Sequence, residues 1–190
     1  MKKLLPLLLA VLTALCLGGG ALALDMEDPY LSSAEALHDL GLFQGTGTNA
    51  DGTPIYDLDK TPSRNQALIM LVRLLGKEAE AKNGAWDIPF TDVSAEMKPY
   101  VGYAYAKGYT NGYTATLWRP NQTVSLNQYT EFLLRGLGYS SVTNTDLSDT
   151  LDRAVSAGLI NSKESAALAK VTFLRSELVY LSFRSLDATV

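Results

Sequence analysis

The chain has 190 residues, 47% of them hydrophobic, and a formal net charge of −4 at pH 7. This length is sufficient for a packed core, and the acidic balance argues against nucleic acid or an anionic lipid surface as a general partner. The single cysteine, Cys16, lies in the N-terminal segment, so disulfide bonds cannot stabilise the rest of the chain.

Residues 1–23 have the pattern of a secretory signal peptide. Lys2 and Lys3 precede an apolar run over 4–17, and Ala21-Leu22-Ala23 supplies a small-residue cleavage site. The apolar run is short for a membrane span, and no later stretch reaches transmembrane length. We expect an exported product that begins at Leu24. Without the two lysines, 14 basic residues face 20 acidic ones, a net charge of about −6.

The next segments predict a helix, a loop, a second helix and a linker. Apolar residues at helical spacing, followed by a glycine, predict a helix over 30–40. Glycines and a proline over 45–60 predict a loop. Ser63 and Gln66 fit a capping box that opens a second helix. The polar, charged segment 76–87 is expected to be a solvated linker.

The same order recurs twice. A helix over 97–107 is followed by a loop with Trp118 and Pro120, and then by a second capping pair, Ser125 and Gln128. In the last part of the chain we expect a helix over 151–157. An alanine-rich turn or two over 164–170 and a final helix then follow.

A similar four-residue sequence, or tetrad, opens the second helix in each of the three copies. Ser63-Arg64-Asn65-Gln66 and Ser125-Leu126-Asn127-Gln128 lie sixty-two residues apart, and Leu174-Arg175-Ser176-Glu177 is a more divergent third copy. Recurrence of this kind indicates an array of one supersecondary unit. We therefore divide the chain after the signal peptide into three repeats, at 24–82, 83–141 and 142–190. The three repeats are expected to form one structural unit.

These motifs resemble the S-layer homology repeat of bacterial surface proteins. Phe90-Thr91-Asp92-Val93 is similar to the family's opening motif, with Asp25 as its counterpart in the first copy. Trp118 with Pro120 is similar to the loop motif of the family's repeat. The tetrads resemble the family's Thr-Arg-Ala-Glu signature.

The resemblance implies an all-α fold of three helix-loop-helix repeats in a pseudo-threefold arrangement around a central helical bundle. It also implies an exported, noncatalytic module at the cell surface. Such a module would bind secondary cell-wall polysaccharide, which is often pyruvylated in this family, in grooves between adjacent repeats.

The resemblance also implies the contacts to the glycan. The signature arginine maps onto Arg64 and Arg175, and Leu126 stands there in the second copy, which we expect to contribute little. Trp118, Asp25 and Asp92 complete the expected glycan-binding set.

Each of these residues also has a purely structural interpretation. Arg64, one residue after a helix N-cap, is expected to be exposed and suited to an anion, or to be a solvated or salt-bridged arginine. Trp118 and Tyr113 are expected in an exposed loop, where an aromatic ring can stack on a sugar or fill the gap between repeats. Arg73, Arg135 and Arg184 lie late in their helices, where a cation complements the helix dipole.

No cofactor, metal or catalytic residue is expected. His38 is the only histidine and has no cysteine near it after the signal peptide, so the spacing offers no metal site or catalytic triad. The alternative function is a protein-interaction or structural module that has kept the fold and lost glycan binding. Other surface proteins would then be the partners.

Overall fold

The computed structural model describes residues 28–188, and this part of the chain is mainly helical, which confirms the all-α prediction. The expected signal peptide and Asp25 lie outside the described residues. The elements in chain order are α1 Pro29–Asp39, β1 Gly47–Thr48, β2 Pro54–Ile55, α2 Arg64–Leu74, α3 Glu78–Asn83, α4 Lys98–Ala106, α5 Leu126–Gly136, α6 Thr150–Ser156, α7 Ser162–Leu168 and α8 Arg175–Ser185.

Both predicted capping boxes are present. The Ser63 hydroxyl accepts the N–H of Gln66 at 3.3 Å, and the Gln66 side-chain oxygen accepts the N–H of Ser63 at 2.9 Å. Ser125 and Gln128 make the same exchange at 3.3 and 3.1 Å. At each pair, four backbone or side-chain groups thereby gain hydrogen-bond partners. Neighbouring residues therefore fix where α2 and α5 begin.

Five helices end in the same way. A glycine with positive φ follows the C-cap residue and lets the chain turn away, as the sequence predicts for most of them. These glycines are Gly41, Gly76, Gly108, Gly138 and Gly158, which follow α1, α2, α4, α5 and α6.

The prediction of a solvated linker over 76–87 is wrong, because α3 lies within it. Ala81 is fully buried, and Glu78 forms ion pairs with Arg73 at 3.3 Å and with Lys82 at 2.9 Å. Glu78 also accepts a hydrogen bond from the hydroxyl of Tyr100 on α4. These contacts with other helices stabilise α3. The local sequence of this polar segment does not reveal them.

Two other segments differ in detail from the expectation. The loop over 45–60 contains a short antiparallel hairpin in which β1 pairs with β2. Helix α7 begins two residues before the predicted turns, because the Asn161 side chain caps it by accepting the N–H groups of Lys163 and Glu164 at 2.9 and 3.0 Å.

Helices α2, α5 and α8 pack against one another in pairs, and their buried faces supply much of the core. Helix α4 packs on α2, α6 packs on α5, and α1 packs on α8. In the predicted division into three repeats, each of these three contacts joins the first helix of one repeat to the second helix of another. The pseudo-threefold symmetry itself stays a prediction.

Candidate functional site

Arg64 is the first residue of α2, and its side chain is buried against the loop that precedes α5. Its backbone N–H donates to the carbonyl of Gln122 at 2.9 Å, and its Nε donates to the carbonyl of Trp118 at 2.9 Å. The guanidinium carbon lies 4.2 Å from the centroid of the Trp118 ring, close enough for a cation–π interaction. The expectation of an exposed arginine is wrong, since only 3% of Arg64 is accessible.

Arg64 carries its charge without a local counterion. Burial lowers its pKa to about 10, against smaller opposing effects of Tyr113 and Asp92. Within residues 28–188 no carboxylate forms an ion pair with Arg64, and its terminal nitrogens donate to no protein acceptor. A buried charge is costly unless it is paired. The contacts that the structure shows for this guanidinium are the carbonyl of Trp118 and the aromatic rings of Trp118, Phe132 and Tyr113.

The guanidinium of Arg64 lines a pocket of about 420 Å³. The exposed ring of Tyr113 forms one wall, and the guanidinium of Arg119 lies 3.9 Å from the centroid of that ring. Gln128 and Phe132 of α5 also line the pocket. The lining of the pocket therefore includes cationic, amide and aromatic groups and the carboxylate of Glu131.

Gly112 lets the loop turn beside this pocket. Its φ is +81°, and a Cβ at this position would lie 2.3 Å from the ring of Phe90. A larger residue would be strained in this conformation and would also displace the ring. The close approach fixes the loop that carries Tyr113.

Trp118 is fully buried, which contradicts the expectation of an exposed loop residue. Its ring nitrogen donates to the side-chain oxygen of Asn65 at 2.7 Å, and its ring stacks near Phe132 with a centroid distance of 6.3 Å. The ring fills the space between the two helix entrances and supports Arg64. In this position it offers no free face on which a sugar could stack.

Asp92 holds the same loop from the other side. Its carboxylate oxygens accept the backbone N–H groups of Trp118 and Arg119, each at 2.8 Å. Burial alone would raise the pKa of Asp92, but these two donors bring it below the usual value. Asp92 thus acts on the pocket by fixing the backbone around Trp118.

Arg175 repeats the geometry of Arg64 at the start of α8. Its Nε donates to the carbonyl of Tyr56 at 2.9 Å, and its backbone N–H donates to the carbonyl of Lys60 at 2.8 Å. Its guanidinium carbon lies 5.2 Å from the centroid of Phe43. Only 5% of Arg175 is accessible, and burial lowers its pKa.

The pocket beside Arg175 is smaller, at about 150 Å³. Gln66 and Arg73 line it from α2, and Arg73 also forms an ion pair with Glu78. The two arginines that the sequence singles out therefore do not lie together. Each belongs to its own pocket, and the Arg64 pocket is the more spacious.

The three late-helix arginines each pair with a carboxylate, in agreement with the structural interpretation. The Nε atoms of Arg73, Arg135 and Arg184 lie 3.3, 2.9 and 3.3 Å from carboxylate oxygens of Glu78, Glu131 and Glu164. The pairs of Arg73 and Arg184 join two helices, α2 with α3 and α8 with α7, whereas Arg135 and Glu131 both lie on α5. These ion pairs leave little charge free for a ligand.

Sequence reasoning missed Glu131, which lines the Arg64 pocket although only 2% of it is accessible. Its oxygens lie 2.9 Å from Arg135 and 2.9 Å from Arg153 of α6. The sequence contained one signal for Glu131: this charged residue stands where the equivalent position in α2 has the apolar Ile69.

Leu126 takes the place of the arginine at the start of α5 and is half-buried against the core. The neighbouring Asn127 side chain donates to the carbonyl of Leu147 at 2.8 Å. In the part of the chain that the structure describes, only Asp57 and Arg119 among non-glycine residues have positive φ. Residues 142–188, the described part of the predicted third repeat, therefore lack the left-handed non-glycine residue that accompanies each arginine.

The remaining sequence expectations concern metals and membranes. The ring nitrogen Nδ1 of His38 lies 3.0 Å from the carbonyl oxygen of Phe43. Over the described range, histidine, cysteine and carboxylate side chains form no group of three or more that could hold a metal ion. No helix among residues 28–188 has the length and apolar character needed to span a bilayer.

Comparison with known proteins gives one family match. A search of curated proteins found no match to this chain. Residues 89–129, which carry Asp92, Tyr113 and Trp118 and reach into α5, match the S-layer homology domain, a family associated with cell-wall binding.

Proposed function

We propose that the protein is an exported, noncatalytic module that binds secondary cell-wall polysaccharide noncovalently at the bacterial cell surface. The observation that carries this proposal is the buried guanidinium of Arg64, which has no carboxylate partner among the described residues and opens into a pocket. The match of residues 89–129 to the S-layer homology domain supports the same function.

The chemistry of the Arg64 pocket favours a saccharide that carries a carboxylate, such as a pyruvate ketal. Because Nε is bound to the carbonyl of Trp118, the terminal nitrogens remain for the two oxygens of a carboxylate. The ring of Tyr113, 44% accessible, can cover an apolar face of the sugar. A volume of about 420 Å³ lies within the usual range for small-ligand pockets.

We propose the Arg64 pocket as the principal site and the Arg175 pocket as a second, weaker one. Both arginines make the same two hydrogen bonds, from Nε and from the backbone N–H, but the space beside Arg175 is about 150 Å³. A sugar unit that fits the larger pocket must displace side chains to enter the smaller one, which costs free energy.

The proposal is tested by sedimentation of the protein with purified bacterial cell walls. We expect binding to intact walls, loss of binding after the polysaccharide is extracted, and loss after mild acid removes the ketals. Binding that persists on extracted walls would contradict the proposal and would favour a protein-interaction module.

A matched variant sharpens this assay. Arg64→Leu places at the start of α2 the residue that already occupies the start of α5, so the helix opening stays compatible with the fold. We expect this variant to remain folded and to stay in the supernatant. Wild-type sedimentation of the variant would show that Arg64 does not bind the wall.

A further inference from the structure

Arg119 has a backbone conformation in which a glycine would be less strained. Its φ is 59°, in the left-handed region that glycine adopts readily and other residues rarely do. The hydrogen bonds of this turn come from its backbone alone: its N–H donates to Asp92 at 2.8 Å, and its carbonyl accepts the N–H of Gln122 at 3.1 Å. The turn therefore does not explain why an arginine is found here, and local strain of this kind points to a role for the side chain.

The side chain of Arg119 lies on the ring of Tyr113. Its guanidinium carbon is 3.9 Å from the ring centroid, the shortest such cation–π distance within residues 28–188. In the part of the chain that the structure describes, the Tyr113 ring contacts no other aromatic ring and its hydroxyl has no hydrogen-bond partner. The other cation near the ring is Arg64, at 5.9 Å. The stack with Arg119 is therefore the contact best placed to hold this exposed ring in one orientation.

Only one member of this pair lines the Arg64 pocket. Tyr113 is among the lining residues, and Arg119 is not. The guanidinium of Arg119 thus contacts the ring from outside the pocket and occupies none of the space that a ligand would fill. A ring that is held in place before the ligand arrives loses less conformational entropy on binding.

The equivalent pair is missing from the loop that faces Arg175. At the sixty-two-residue offset between the first two tetrads, Asp51 corresponds to Tyr113, and Asp57 corresponds to Arg119. Asp57 is also left-handed, but its carboxylate accepts the hydroxyl of Thr46 at 2.7 Å. The cation and the aromatic ring are therefore replaced together, so the stack is a feature of the Arg64 pocket and not of the turn itself.

We propose that Arg119 is a positioning residue of the Arg64 pocket: its guanidinium stacks on Tyr113 and holds that ring as a preformed wall against which a sugar packs. This inference rests on the proposed glycan binding and narrows the ligand. Because only 5.9 Å separates the guanidinium carbon of Arg64 from the centroid of Tyr113, the carboxylate bound by Arg64 and the apolar face that packs on Tyr113 belong to the same sugar unit.

The first experiment needs no ligand. Nuclear magnetic resonance of the free protein measures the side-chain proton resonances of Arg119, which the ring current of a stacked aromatic shifts upfield. We expect an upfield shift in the parent and its loss in Tyr113→Leu. Unshifted Arg119 resonances in the parent would show that the stack is not populated in solution and would overturn the proposal.

The second experiment titrates Arg119→Gly with purified wall polysaccharide that carries its ketals. Glycine adopts the same φ without strain and removes only the guanidinium, so the urea unfolding midpoint should change little. We expect the affinity to fall by about two- to five-fold, the range for an exposed cation–π contact, and Arg119→Lys, which keeps a cation, to recover part of the loss.

Asp57→Gly is the matched control, because it makes the same backbone change beside Arg175, and its effect on affinity should be smaller. Parental affinity of Arg119→Gly, or a loss of affinity that only accompanies a lowered unfolding midpoint, would overturn the proposal. If the parent binds no polysaccharide, the proposed function fails, and the resonance measurement alone decides whether Arg119 positions Tyr113.

Discussion

Asp57 and Arg119 lie sixty-two residues apart and share an unusual backbone conformation, with φ of 49° and 59°. Each directly follows the residue whose carbonyl oxygen accepts the Nε–H of a buried arginine: Tyr56 for Arg175, and Trp118 for Arg64. A left-handed non-glycine residue costs about 1–3 kcal/mol, which the surrounding structure must offset. The turn and the arginine therefore form one structural unit that occurs twice in the described chain.

Asp92 is expected to maintain this turn in the second copy. Asp92→Asn leaves one oxygen to accept the N–H of Trp118 or of Arg119, so one backbone donor loses its partner. We expect the free energy of unfolding to fall by about 1–3 kcal/mol. Chemical denaturation measures this change, and an unaltered midpoint would contradict the positioning role of Asp92.

Trp118 is expected to be important first for stability. Trp118→Ala removes a fully buried indole and should lower the free energy of unfolding by about 3–5 kcal/mol. Trp118→Phe should cost less, because an aromatic ring remains beneath the guanidinium of Arg64. Thermal unfolding of the two variants measures the difference. A fully stable Trp118→Ala protein with weakened glycan binding would instead support the sugar-stacking interpretation.

The charged group with the clearest effect of pH on stability is Glu78. A hydrogen bond from Tyr100, with smaller contributions from Lys82 and Arg73, lowers its pKa from 4.5 to about 2. Its folded-state pKa is below the unfolded value, so its contribution to stability is complete above about pH 4.5 and is lost as pH falls through about 2. The side chain is 30% accessible, and solvent screening reduces the contribution.

Glu78→Gln should therefore destabilise the protein by about 1 kcal/mol at pH 7 and have a smaller effect at pH 2. Urea denaturation at the two pH values measures this. The exposed pair Lys60–Asp59 offers the control, since Asp59→Asn should change stability little at either pH. An equal loss for Glu78→Gln at both pH values would show that its charge is not the cause.

The sequence predicted the local features of this fold well. Ser63 and Gln66 lie three residues apart, and a cap depends only on such neighbours. The burial of Arg64 was not predictable in this way, because its partners Trp118 and Gln122 come from a loop more than fifty residues away. For the same reason α3 was missed, since Glu78 is held by Arg73 and Tyr100 on other helices.

The two arginines are expected to contribute unequally to binding. Arg175→Leu should weaken polysaccharide binding less than Arg64→Leu, because the pocket beside Arg175 is about 150 Å³ and that beside Arg64 is about 420 Å³. Calorimetric titration of each variant with wall polysaccharide gives both affinity and stoichiometry. A greater loss with Arg175→Leu would place the principal site in the smaller pocket.

Leu126→Arg tests whether an arginine at the start of such a helix needs the left-handed turn in order to bind the glycan. The start of α5 has the same cap as α2, but residues 142–188 contain no left-handed non-glycine residue like those that follow the carbonyl acceptors of Arg64 and Arg175. We therefore expect Leu126→Arg to add no affinity for wall polysaccharide. A gain in affinity or stoichiometry would show that the turn is dispensable.

We propose that the guanidinium of Arg64, which has no carboxylate partner within residues 28–188, binds a carboxylate of the wall glycan. The most direct measurement is a calorimetric titration of the parent and Arg64→Leu with purified polysaccharide before and after mild acid removes its ketals. We expect the parent to lose about 1.5–3 kcal/mol of binding free energy when the ketals are removed, the range for a hydrogen bond to a charged group. The variant should bind both forms equally weakly. If the parent binds both forms with the same affinity, or a folded Arg64→Leu variant still distinguishes them, the claim is contradicted.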